Sequence, residues 1–589
     1  MRRALRSPTP PAETGRGRRR SRRLALLAVP VAAAVAVPLA VTLPGGTASA
    51  ASASTYVVVY AGSADAGRAA VAKLGGTIQS ENAEVGVALV TSTDAAFEAK
   101  AGASSALVGA APNSPIGQAV PASAGGAAGG ASVSFTRRER DLARSGGGGS
   151  PAKPGKPAAG AEPLASLQWD MQMMGATPTG SYKYQTGSKG VLVGVIDTGI
   201  DGSHPDVAPN FNKGLSRNFV TDIPTDPASG EEVDGPCEHP SCVDPVDEDD
   251  DGHGTHVAST IAAPINGLGI AGVAPNVQLV NIRAGQDSGY FFLKPTIDAI
   301  TYAGDVGVDV VNMSFYTDPY LFNCTANPAD SPQRQAEQRT VITATQRAVA
   351  YASKHGVTLI AAAGNESTDT GHPSADDTSP DYPPSGDAAY PRVIDNSCLS
   401  MPSEAAGVLD VNAVGPSKRL SYYSNYGLEQ TVVAAPGGDA YDGSATRKAT
   451  NLILAAYPKN VAVAAGDIDA NGNPTSEFVV RDDSKGVTSY YQYLQGTSMA
   501  SPHAVGVAAL IVSALGHKDP KHGGLTMEPR TVQQLLARTA AATPCPTPNP
   551  YVYPAPVPAD NTKTCEGGPA FNGFYGSGIV SALNASKLH

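Results

Sequence analysis

From about residue 190 the chain alternates short, almost unbroken apolar runs with longer stretches of helix-compatible spacing. The runs read "VLVGVIDTG", "VQLVNIRA", "VDVVNMSF", "VTLIAAAGN" and "TVVAAPG". A strand with one face in water would alternate apolar and polar residues, whereas these runs are apolar at nearly every position. Both of their faces must therefore be covered, which predicts a parallel sheet with helices on both sides, an α/β fold. In such sheets the chemistry gathers at the C-terminal ends of the strands. Asp197, Ser314 and Asn365 each follow one of these runs directly, so the pattern nominates them for one site.

The first part of the chain has a different rhythm. Residues 55–112 give a strand at Tyr56–Tyr60, an Ala/Lys-rich helical stretch, β-branched runs around Thr77–Ser80 and Val85–Val90, a second helical stretch and a last short strand. That βαββαβ order predicts a small ferredoxin-like α+β domain. Residues 121–162 are Gly-, Ser-, Pro- and Ala-rich, with "SGGGGSPAKPGKPAAGAEP" as the extreme, and read as a flexible, protease-accessible linker. The scheme is thus 1–50, 51–112, a linker over 113–162 and a large domain over 163–589. "RRER" at 137–140 is either a cleavage point or ordinary linker charge.

Charge separates the extreme N-terminus from the rest. Residues 1–50 hold nine Arg against one Glu, which leaves the other 539 residues at −19. No basic patch remains to attract nucleic acid. The basic front, the apolar stretch Leu24–Leu43 and the Ala48-Ser49-Ala50 ending have the layout of a cleaved secretory signal peptide. Pro30 and Pro38 fit cleavage, retention as a membrane anchor is the alternative, and Ser21-Arg22-Arg23 leaves a twin-arginine route open. The expectation is a secreted, extracellular monomer without a stable membrane partner. Six cysteines, all beyond residue 230, suit disulfides better than a zinc site. Cys237–Cys242 and Cys545–Cys565 are natural local pairs that leave Cys324–Cys398, one of fifteen connectivities open to six cysteines.

Ser498, in "QGTSMASPHAVG", sits where a polar turn opens into an apolar helix. It is either a helix cap or a nucleophile at the positive end of the helix dipole. Nucleophilic hydrolysis needs a base and a carboxylate besides the serine. "VIDTGIDGSHPD" and "DEDDDGHGTHVAS" supply Asp197 and His253, in the chain order Asp, His, Ser. With "QWDMQMMG", "NGLGIAGVAPNVQLVNIRA", "AAAGNES" and "FYGSGIVSALNASK", these motifs resemble the subtilisin-like serine proteases (subtilases) from about Leu167 to the C-terminus.

The resemblance implies that Ser498 attacks the peptide carbonyl. It implies that His253 moves the proton, that Asp197 orients the imidazole, and that Asn365 donates to the oxyanion together with the Ser498 N–H. His256 would be structural. Two departures stand out. The family follows its "NMS" with a residue and two glycines, whereas this chain has Ser314-Phe315-Tyr316-Thr317. Ser314 and Phe315 are still expected to touch substrate, opposite a strand at Ser288, Gly289 and Tyr290 that pairs with extended peptide. Insertions over about 209–250, 316–340, 366–398, 440–490 and 541–570 are either cleft walls or stiffened surface loops.

Asp206 and Asn266, with the carbonyls of Pro264, Leu268 and Ile270, match the family's tight calcium loop, so structural calcium is expected. The segment 55–112 resembles the family's propeptides, which template folding and inhibit their own enzyme. The whole implies an autoprocessed zymogen of a secreted endopeptidase acting on extended polypeptide. A dedicated processing protease for one precursor is the alternative, and a catalytically silent binding module is disfavoured by the intact motifs.

Overall fold

A computed structural model describes residues 53–113, 153–226, 230–382 and 389–588. The expected signal peptide and most of the linker lie outside them. The chain from Ser52 onward forms one compact unit.

Its N-terminal part is a four-stranded antiparallel sheet of order β2-β3-β1-β4, formed by β1 (Ser54–Tyr60), β2 (Thr77–Asn82), β3 (Val87–Ser92) and β4 (Leu107–Pro112). The helices α1 (Ala64–Lys73) and α2 (Phe97–Gly102) connect the strands as the sequence pattern predicts. β1 is apolar at every position from Val57 to Val59 because it faces two cores. Tyr56, Val58 and Tyr60 pack with Val71, Val90, Phe97 and Leu107 inside the small domain. Val57 and Val59 pack instead into the core of the large one.

The large domain is built on a seven-stranded sheet. Its strands are β5 (Leu192–Ile196), β6 (Arg217–Asn218), β7 (Gln278–Arg283), β8 (Val310–Met313), β9 (Thr358–Ala362), β10 (Val408–Val414) and β11 (Thr431–Pro436). The order is β11-β10-β9-β8-β5-β7-β6 and every pairing is parallel. Strands β5, β8 and β9 are buried almost throughout, the signature of a sheet covered on both faces.

Four large-domain helices matter for the site and its support. They are α3 (Trp169–Met174), α4 (His253–Ala262), α5 (Leu293–Asp305) and the 23-residue α6 (Pro332–Lys354). A fifth, α7 (Thr497–Leu515), is buried from Thr497 through Val512 and forms the central column of the core. It is long and apolar enough to cross a membrane, yet it is a core helix here. A three-stranded antiparallel sheet lies beside it, with β12 (Ile453–Ala456) and β13 (Val479–Asp482) flanking β14 (Ser489–Leu494).

The small sheet docks on α6. Arg347 Nη1 donates to the Tyr60 carbonyl at 2.7 Å. A Cβ at Gly109 would stand 2.5 Å from Thr340 Oγ1, so glycine is what lets β4 approach the helix. The three cysteine pairs are joined as Cys237–Cys242, Cys324–Cys398 and Cys545–Cys565.

Candidate active site

Asp197 is the residue after β5, and His253 opens α4. The His253 Nδ1–H donates to Asp197 Oδ1 at 2.7 Å, with both side chains buried. Asp197 Oδ1 also accepts the Thr198 N–H at 2.8 Å. The start of α4 is clamped by Asp249, a residue for which the motif reading gave no separate role. Asp249 Oδ1 accepts from the Gly252 N–H (2.8 Å) and the Thr198 hydroxyl (3.2 Å). Its Oδ2 accepts from the Thr255 N–H (2.9 Å) and hydroxyl (2.5 Å). A carboxylate at a helix N-terminus answers both the unpaired N–H groups and the dipole, and here it fixes where the imidazole emerges. His256, one turn on, puts Nε2 3.1 Å from the carbonyls of both Ile453 and Gln492. Burial, with His253 nearby, pushes its pKa down to about 3. It is a neutral ring that donates across β12 and β14.

Ser498 is the second residue of α7 and is fully buried. Its hydroxyl donates to the Ser314 carbonyl at 3.2 Å, while Ser314 Oγ donates back to the Ser498 carbonyl at 3.0 Å. Asn312 and Ser501 complete that lattice at 2.9 and 2.8 Å. Thr497 aims the Asn365 amide. Asn365 Oδ1 accepts from the Thr497 N–H (2.9 Å) and hydroxyl (3.0 Å), and Thr497 Oγ1 also accepts the Gly364 N–H at 3.0 Å. With its oxygen held on α7, the amide presents its N–H pair on the other side. Asp197, Ser314 and Asn365 thus stand at three strand ends, around the starts of α4 and α7.

The Subtilase family model matches residues 188–578. Subtilisin DY from Bacillus licheniformis is 31% identical over 327 residues, covering 55% of this chain and 77% of that protein. A thermophilic serine proteinase from Bacillus sp. (strain AK1) is 29% identical over 328 residues, 56% of this chain but only 53% of its own length. Among solved structures, an epidermin leader peptide processing serine protease from Staphylococcus aureus superposes with TM-score 0.57 at 20% identity. That match covers 91% of this chain and 98% of the other.

The chain belongs to the subtilase family.

In this subtilase the cleft wall departs from the sequence expectation. Phe315 is buried and stacks on Phe291 with ring centroids 4.1 Å apart and planes 2° from parallel. Ser288, Gly289 and Tyr290 form a turn where a strand was expected. Gly289 has φ +82° and donates to the Gln286 carbonyl. The Ser288 N–H (3.0 Å) and hydroxyl (2.7 Å) both donate to Asp234 Oδ1. Asp234 comes from the 209–250 insertion, so a carboxylate far along the chain takes the backbone donor that a bound peptide would need.

The loop at 264–270 fits a hard cation. Asp206 accepts from Asn266 Nδ2 (3.0 Å), the Ile270 N–H (3.0 Å) and the Tyr491 hydroxyl (2.6 Å). The carbonyls of Pro264, Leu268 and Ile270 accept no hydrogen bond among the described residues. Asn266 Oδ1 accepts the Leu268 N–H at 2.8 Å, which makes Asn266 a brace of the loop. The sequence reading missed Glu162. This carboxylate is 3% exposed, accepts from the backbone of Gly267 and Asn266, and keeps Oε2 without a partner. Unmatched carbonyl and carboxylate oxygens are the donors calcium takes.

Proposed function

We propose that this subtilase is a secreted serine endopeptidase, made as a zymogen whose residues 54–112 inhibit it until the linker is cut. The observation that carries the catalytic reading is the buried Asp197–His253 pair, with Ser498 second in α7, the helix against which the His253 helix α4 packs. In this reading His253 takes the Ser498 proton as Oγ attacks the scissile carbonyl, then returns it to the leaving amine. Asp197 holds the imidazole in the tautomer with Nδ1–H and stabilises its charged form. Asn365 Nδ2 and the Ser498 N–H receive the oxyanion, and the Thr497 bonds fix that amide before substrate arrives, which is what electrostatic preorganisation requires.

Secretion is supported by the N-terminal layout and by three disulfides, which persist outside the cytosol. Zymogen control is supported by the ferredoxin-like domain docked on α6. Asp206, Glu162 and the carbonyls of Pro264, Leu268 and Ile270 would hold a calcium ion, which would tie the end of the linker to the large domain. The stacked Phe315 and Phe291, in a segment that lacks the family's two glycines, favour a narrow substrate range, down to processing of one precursor.

The test is secretion of the full chain beside its Ser498→Ala variant, with mass and N-terminal sequence of each product. The expected result is loss of residues 54–112 by the wild type alone, followed by digestion of casein or of a restricted peptide set. Intact, inactive wild type would sink the autoprocessed zymogen. A mature N-terminus beyond about residue 170 would sink the linker as the cut site.

A further inference from the structure

We propose that a divalent cation, calcium by the chemistry of its donors, binds between Asp222, Glu238 and Asp244 in the 209–250 insertion, on different segments from the Asp206 loop. One oxygen from each of these three carboxylates lies within 4.8 Å of the other two. Oxygens bound to one calcium at about 2.3–2.6 Å from the ion are at most about 5 Å apart. The spacing is therefore what a single ion spans.

The second observation is Asp222 itself. Its side chain is 1% exposed, and neither of its oxygens accepts a hydrogen bond. Its nearest cationic atom, Arg283 Nη2, stands 3.6 Å away and is already 2.7 Å from Asp287 Oδ1. Arg283 Nη1 is engaged by Asp244 Oδ2, which leaves Asp244 Oδ1 buried without a hydrogen-bond partner. A carboxylate removed from water and given no donor is strongly unfavourable, and no group among the described residues donates a hydrogen bond to Asp222.

The charge balance points the same way. Asp244 also lies within 4.8 Å of Asp250 and Asp287, each with one unpartnered oxygen. Of these five carboxylates, Asp222, Asp244 and Asp287 share the one buried guanidinium, Arg283. The neighbouring imidazole, His239, faces Glu248 at 2.7 Å and lies 4.0 Å from Asp244 Oδ1. All six cysteines are in disulfides, so no thiolate is present to favour a softer metal.

The placement gives the ion a role. The Cys237–Cys242 bridge closes the short loop that presents Glu238. Asp222 and Asp244 flank that loop, and Arg283 joins them to Asp287, the neighbour of Ser288. A cation here would tie the insertion to the turn beside the cleft.

The test uses the full chain in the Ser498→Ala background, stripped with chelator and titrated with CaCl2 by calorimetry, with melting followed in parallel. Asp222→Asn and Glu238→Gln should each bind one equivalent fewer, or weaken one class of site at least tenfold, while Asp206→Asn spares that class. In chelator Asp222→Asn should melt no lower than the background, because it removes an unmatched charge. In millimolar CaCl2 it should melt lower. Equal calcium binding in all the variants would overturn the proposal. So would an Asp222→Asn chain that loses the same melting temperature with and without calcium, since that is what a purely structural aspartate does.

Discussion

The two α/β parts of the molecule solve the same problem differently. In the seven-stranded domain the side chains around the candidate active site have partners brought from far along the chain: Asp197 has His253, Asn365 has Thr497, and His503 lies 3.0 Å from Asp170 of α3. The four-stranded domain has a small core of its own and lends its other sheet face to α6. Where it meets that helix, two carboxyls face each other. Glu98 and Glu337 are both buried, bridged by Gln333 Nε2 at 2.9 and 3.3 Å, and Glu98 Oε1 and Glu337 Oε2 accept no bond. Tyr56, Tyr320 and Arg334 are the other titratable or charged groups nearby, while Lys100 is paired with Asp94. The candidate site is matched across long stretches of chain; the small domain is attached with a conflict left in its seam. The difference teaches that the least satisfied polar contact between the two parts lies in the seam where the small domain meets α6.

The largest effect should come from Ser498→Ala. It should lower kcat by about 10⁶, the scale measured when the subtilisin nucleophile is removed, and leave both sheets intact by circular dichroism. Loss of the small sheet in that variant would break the division of labour. Phe97→Ala attacks the other side. It empties the centre of the small core at about 3–5 kcal/mol. It should unfold residues 54–112 by hydrogen exchange while the large domain's strands stay protected, and global unfolding would show that the two parts share one cooperative core. If Asn365 is the oxyanion donor, Asn365→Ala should cost kcat about 10²–10³, the scale measured when an oxyanion donor is removed from subtilisin.

The smallest effect is the most telling for the seam. Burial, reinforced by Glu337, pushes the Glu98 carboxyl up to about 10, against roughly 4.3 for a free glutamate. The docked state thus binds a proton that the free domain releases. The stabilisation is full at pH below about 4.5 and is lost progressively as pH rises from there through the docked value of about 10, at up to about tenfold per pH unit. With the linker of the Ser498→Ala chain nicked by trypsin at Arg137–Arg140, release of the small domain should steepen with pH. Glu98→Gln should flatten that dependence. An unchanged slope in Glu98→Gln would assign the pH response elsewhere.

What could be read from the sequence followed local rules. Apolar runs covered on both faces gave the parallel sheet, the βαββαβ order matched the small four-stranded sheet, and the motifs nominated Asp197 and His253, which are hydrogen-bonded, and Ser498 at the start of α7. Partners that meet only through space could not be read. Asp249 and Thr497 are anonymous in the sequence, yet they orient His253 and Asn365. Glu162 lies in the last stretch of the linker with nothing to mark it as a neighbour of Asp206. Ser288–Tyr290 was expected as a strand because the motif says so, but Asp234, more than fifty residues away, takes the N–H that would have made it one. Two of these partners, Asp234 and Asp249, come from the 209–250 insertion, whose side chains have no repeating pattern to follow.

The helix α6 is a wall shared by two rooms. Its Val341, Ala344 and Ala348 lie in one apolar cluster with Val57, Val59 and Val87 of the small sheet. If the zymogen proposed above is processed, removal of residues 54–112 would leave that stripe bare. Such a surface is sticky: it favours adsorption to interfaces, foams and insoluble protein. On that reading, which materials the processed form clings to would be an imprint of the domain it had lost.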